Sequence, residues 1–184
     1  MYREFFKNLA EKENGKFYFK DEDISIGMGV RSPNVLYKIT FDYKNNPISI
    51  INQTGTAYVG IISCELNTTL QPIEFEITNT PHIKNLFSRK KSRLKIKSDK
   101  SNINYFLTKN DSINILSKIA KKENFSPIIA CKFDGVWKIE AKYHLEFDNW
   151  IEPIEPIIEL YKNLIDEFEK RIANISEKAY REMN

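Results

Sequence analysis

The polar and apolar positions change period several times along the chain, and each change predicts a different element. Tyr2, Phe5, Phe6 and Leu9 fall at i, i+3, i+4 and i+7, one face of a helix running to about Glu11. Glu13-Asn14-Gly15-Lys16 ends it with an Asn-Gly pair that tolerates the left-handed conformation. Strands follow at Lys16–Lys20, at Ile24–Val30 after a turn at Asp21-Glu22-Asp23, and at Val35–Tyr43 after a break at Arg31-Ser32-Pro33-Asn34. In the last of these, Val35, Tyr37, Ile39, Phe41 and Tyr43 alternate with Leu36, Lys38, Thr40 and Asp42, the period of a half-buried strand. Lys44-Asn45-Asn46-Pro47 turns it back into Ile48–Asn52. Tyr58–Leu66 is nearly all apolar and reads as a central strand, and Ile73, Phe75 and Ile77 alternate with Glu74 and Glu76 in another.

Thr80–Phe87 predicts a single helical turn with Pro81 at its first position. Strands resume at Arg93–Ser98 and Ile103–Leu107, and Asn110-Asp111-Ser112 caps a short helix to about Lys122 with Leu116, Ile119 and Ala120 inward. Pro127–Phe133 and Val136–Phe147 flank Asp134-Gly135, which suits the two positive φ angles of a type I′ turn. In the second arm Trp137, Ile139, Ala141, Tyr143, Leu145 and Phe147 face one way, and Lys138, Glu140, Lys142, His144 and Glu146 the other.

The stretch from Trp150 to Asn184 closes the chain. Ile154, Ile158, Tyr161, Ile165, Phe168, Ile172, Ile175 and Ala179 recur in unbroken steps of four and three, widened by Ile157 and Leu164. Such a stripe needs one face held against something, and a sheet is the available partner. The half from Ile154 to Phe168 is expected to close the core. Ile172, Ile175 and Ala179 are expected to overhang the sheet, frayed or self-associating with a second copy.

Nine or ten strands joined by short connections require antiparallel pairing. The expected fold is therefore α+β, a single domain over residues 1–184. A large antiparallel sheet carries an N-terminal helix, a short middle helix and a long amphipathic C-terminal helix. No apolar run approaches the roughly 20 residues of a membrane span, and the N-terminus lacks the pattern of a signal peptide, so a cytoplasmic location is expected. Cys64 and Cys131 each lie in apolar strand-like runs and read as buried reduced thiols, able to pair only from neighbouring strands.

Charge changes this picture more than composition does. Residues 89–145 hold 14 basic and 5 acidic side chains, while residues 146–184 hold 5 basic and 10 acidic. Ser88–Ser98 contains Arg89, Lys90, Lys91, Arg93, Lys95 and Lys97 and no acid. With Leu94 and Ile96 inward, Arg93, Lys95 and Lys97 project together, a cationic face suited to phosphates of nucleic acid or an anionic lipid surface. The same lysines would also deter edge-to-edge pairing. Tyr105 and Phe106 lie just downstream as candidates to stack on bases.

Catalytic chemistry is sparse. His144 shares a strand face with Glu140 and Glu146, which a solvated charged face explains as well as a site does; His82 has no companion ligand. Gly27-Met28-Gly29 lacks the third glycine and the helix of a dinucleotide fingerprint. No cofactor is implied. The expected function is a non-enzymatic binding or scaffolding module whose basic strand face meets an anionic partner. The alternatives are a carrier with an apolar cavity between sheet and helix, or an enzyme with a site near His144.

Overall fold

The computed structural model describes residues 2–79, 94–123 and 125–183, with side chains described as far as residue 173. Helix α1 (Tyr2–Lys12) leads into strands β1 (Lys16–Gly27), β2 (Val30–Tyr43), β3 (Asn46–Thr54), β4 (Val59–Glu65), β5 (Phe75–Asn79) and β6 (Leu94–Lys97). Helices α2 (Ser101–Lys109) and α3 (Asp111–Lys122) follow, then β7 (Ile128–Asp134), β8 (Val136–His144) and α4 (Ile154–Met183). The eight strands form one sheet in the order β1-β2-β3-β4-β8-β7-β5-β6, every neighbouring pair antiparallel, so the fold is α+β.

One face of the sheet is the floor of the core. The register aligns Ile39, Ile50, Ile62, Ala141, Ile129 and Ile77 in a row across six strands, and all six are fully buried. A second row runs Phe41, Ile48, Cys64, Ile139, Cys131 and Phe75. The helices lie on these rows. From α4, Ile154, Ile157, Ile158, Tyr161, Leu164, Ile165 and Phe168 are all buried, as the stripe from Ile154 to Phe168 predicts. The Tyr161 hydroxyl donates to the Ile62 carbonyl at 2.8 Å, tying α4 to the centre of the sheet. Ile172 is half-buried against the same core, and Ile175 and Ala179 lie outside the described side chains. At the N-terminus the Phe6 ring stacks on Tyr37 with centroids 4.7 Å apart, and Tyr2 meets Trp150 at 4.6 Å, so α1 is fixed to β2 and to the approach to α4.

Five expectations are corrected. First, Asp21-Glu22-Asp23 does not turn: β1 runs on to Gly27, and Met28 and Gly29, both with positive φ, make the turn. β3 joins β2 only from Val35, so the outer ends of β1 and β2 form a ribbon with no core beneath it. Polar residues there reflect solvent on both sides. Second, Arg31-Ser32-Pro33-Asn34 continues β2, because Pro33 sits where β3 does not reach and its missing N–H is not needed. Third, Ile103–Leu107 is helical. Ile103 and Leu107, four residues apart, are both fully buried while Tyr105 between them is exposed, the signature of a helix and not a strand. Fourth, the described strands number eight. Fifth, the Asp134-Gly135 turn is tighter than a two-residue loop: Asp134 pairs with Val136 and only Gly135 takes positive φ. The pair of positive φ angles appears instead at Lys44 and Asn45. There the Asn46 amide donates to the Tyr43 and Lys44 carbonyls. The helical turn expected at Thr80–Phe87 lies outside the described residues.

The helix caps follow the sequence. The Asn110 side chain accepts from the Ser112 N–H at 2.9 Å, opening α3 where Asn110-Asp111-Ser112 places it. On the outer surface of α4, Arg171 pairs with Glu167 at 3.2 Å. Asp166, spaced to reach Lys170, instead accepts from the Tyr43 hydroxyl at 3.1 Å and from Lys44 at 2.7 Å. These bonds and the hydrogen bond from Lys44 to Glu169 hold the Lys44 ammonium above its ordinary range and clamp the β2–β3 turn to the helix.

Candidate anionic-partner interface

The face of the sheet away from the helices is built by the alternate residues of every strand. Its middle row runs Thr40, Ser49, Ser63, Glu140, Ala130, Glu76 and Lys97. None of these is fully buried, in contrast to the isoleucine row behind them. The central strands β3 and β4 offer small and apolar groups, Ser49, Ile51, Ile61 and Ser63, and the cations stand on either side of them.

On the β8–β7–β5–β6 side, acids neutralise the inner lysines. Lys138 and Lys142 both pair with Glu140, the latter at 2.7 Å, and Lys132 pairs with Glu76 at 3.0 Å. Partial burial pushes the Glu140 carboxyl upward, but the hydrogen bonds and charges of the two lysines outweigh it and hold the group below its ordinary range. Lys95 and Lys97 stand outside this network. Leu94 is buried and Ile96 half-buried beside them, so the two lysines project from the opposite face of β6. Lys97 stands opposite Glu76, whose carboxylate already accepts from Lys132, and Lys95 stands opposite Thr78. Neither lysine makes an ion pair with a described residue. β6 also ends the order of the described strands, leaving this pair at an edge of the sheet they form.

Arg89, Lys90, Lys91 and Arg93 lie outside the described residues, as does His82. Tyr105 and Phe106 belong to α2, in the helical layer, so they do not share a face with Lys95 and Lys97. His144 is exposed at the end of β8, opposite Val59. Glu140 is four strand residues away, about 13 Å at 3.3 Å per residue, and is engaged by its lysines; Glu146 lies beyond the strand. The structure therefore does not bring His144 and Glu140 together. Among the described residues no group of three or more His, Cys, Asp or Glu is placed to hold a metal ion. No helix among them is long and apolar enough to cross a membrane.

Cys64 and Cys131 occupy the same buried row, but Ile139 of β8 stands between them, so the thiols are free. Burial pushes both thiols up to about 12. A thiolate is the reactive form, so neither cysteine is expected to react with iodoacetamide at pH 8 in the native protein, and both are expected to react in denaturant. Rapid native alkylation read by mass spectrometry would contradict this burial.

Comparison of the chain with family models, with curated proteins and with solved structures finds no match.

Proposed function

We propose that the protein is a non-enzymatic binding module that meets a phosphate-bearing partner on the sheet face that no described helix covers, at the β6 edge. The observation that carries this reading is the pair Lys95 and Lys97, aligned on an exposed strand face and without an ion pair to any described residue. Ammonium groups left unneutralised beside a network of paired ones are available to phosphates. The sequence continues the positive charge into Arg89, Lys90, Lys91 and Arg93. The alternative carrier reading draws no support from the space between sheet and helices. Side chains such as Phe6, Tyr161 and Phe168 fill it, and the clefts among the described residues open to the surface with polar groups in their walls.

Each phosphate neutralised releases counterions, so log K falls linearly with log salt, by about 0.7 per contact on single strands and 0.9 on duplex DNA. Binding to single-stranded nucleic acid and to anionic vesicles, each followed across a salt series, tests the reading and separates the two sources of phosphate. Lys95→Glu with Lys97→Glu is expected to weaken the productive interaction at least about tenfold and to lower the salt slope on the single strand by about 1.4, two contacts' worth. Salt-insensitive behaviour on both ligands, or an unchanged slope in the double variant, would refute the proposal.

A further inference from the structure

The other edge of the sheet is β1, twelve residues long and hydrogen-bonded only to β2. Its outer backbone groups face away from every described strand, and an unpaired edge of this length is a template for another strand. We propose that this edge docks a second copy of the chain, antiparallel and two-fold symmetric, with Phe19 at the dyad.

The charge pattern selects both the partner and the register. An isologous antiparallel pair sets residue i of one copy opposite residue j of the other with i + j constant. Centring on Tyr18 places Lys16 opposite Lys20. Centring on Lys20, Asp21, Glu22 or Asp23 places each of those charges opposite itself. Like charges directly opposite are unfavourable. Centres at Phe17 and from Ile24 onward avoid them too but set no acid opposite a base; the Phe19 centre alone avoids like charges and also makes an opposite-charge pair. It sets Lys16 opposite Glu22, Tyr18 opposite Lys20, and Phe19 opposite Phe19, over the paired span Lys16–Glu22. The side chains fit that use. Lys16 is exposed and has no ion pair with a described residue, Tyr18 is 51% exposed, and Phe19 is half-buried beneath Arg3, whose guanidinium stands 4.5 Å from the ring centroid; Glu22 already pairs with Lys20 of its own strand at 2.7 Å, and the second copy's Lys16 would join that exposed pair. Symmetry makes the Lys16–Glu22 and Tyr18–Lys20 pairs occur twice each.

The test uses the full chain in sedimentation velocity over a dilution series. Wild type is expected to dimerise reversibly. Lys16→Glu sets acid opposite Glu22, and Glu22→Lys sets base opposite Lys16, so each variant alone is expected to dimerise at least about tenfold more weakly. An equimolar mixture of the two, one isotopically labelled, is expected to restore a dimer holding one copy of each, because both pairs between positions 16 and 22 are then opposite in sign. A merely misfolded variant cannot be rescued by mixing. A wild type that stays monomeric throughout, a dimer that both variants leave intact, or a mixture that remains monomeric would each overturn the proposal. The second outcome would move self-association to another surface, such as the distal part of α4.

Discussion

Phe168→Ala is expected to cost about 3–5 kcal/mol of unfolding free energy, whereas Ile172→Ala, one turn farther along α4, is expected to cost about 1 kcal/mol. Phe168 is fully buried between the helix and the sheet, while Ile172 keeps part of its surface in solvent. Truncating the ring leaves a cavity that close-packed neighbours close only in part, and this adds to the lost transfer energy. For a chain of this length about 2–4 °C of melting temperature accompanies each kcal/mol, so the first variant should melt about 6–20 °C lower. Urea denaturation of both variants checks the contrast. Equal losses would mean that the core does not taper between these two turns.

Gly55→Ala is expected to cost about 3 kcal/mol or more. Gly55 has φ +104°, and a β-carbon there would lie 1.7 Å from the Pro33 carbonyl oxygen, which is backbone and cannot rotate away. The same spot is the root of the β1–β2 ribbon, where the Asn34 side-chain oxygen accepts from Gln53 at 2.7 Å and from Thr56 at 3.2 Å. Displacing Pro33 therefore disturbs two hydrogen bonds as well as the loop. Gly135→Ala is the matched control. It has φ +71° but open space around the new methyl, so only the left-handed strain of about 1–2 kcal/mol remains. Equal denaturation midpoints for the two variants would show that close approach to Pro33 is not what Gly55 provides.

The periodic elements were readable in the sequence because one period ruled each of them. The alternation from Val35 to Tyr43 and from Trp137 to Tyr143, and the stripe from Ile154 to Phe168, all face the core as their spacing requires. Reading failed where polarity had another cause. Glu22 and Asp23 are polar because the ribbon, which begins just past Asp21, has water on both faces, a reason that needs the length of β3 to be known. Ile103 and Leu107 satisfied a strand and a helix alike over five residues, and exposed Tyr105 was the discriminating position. On the candidate interface, the inward pair Leu94 and Ile96 correctly placed Lys95 and Lys97. Which lysines would be neutralised was not legible, because Glu140 and Glu76 find their partners partly across strands.

Asn52 gives the buried face a means of keeping its frame. It is fully buried opposite Gly60, its amide donates to the Tyr143 hydroxyl at 3.4 Å, and its own oxygen has no hydrogen-bond partner among the described residues. The neighbouring row, Ile39, Ile50 and Ile62, is nearly interchangeable. If β3 or β8 slid two residues along β4 in one direction, Ile62 would meet Ile48 or Ile139 and every side chain would keep its face. Hydrophobicity alone therefore punishes such a slip very little. Asn52 and Gly60 make it expensive: the slipped amide loses the tyrosine, and the tyrosine ring loses the one position without a β-carbon, where even a methyl would come within 2.6 Å of it. Asn52 and Gly60 thus set an alignment mark beside the isoleucines, which gives up some stability so that the neighbouring frames are worse.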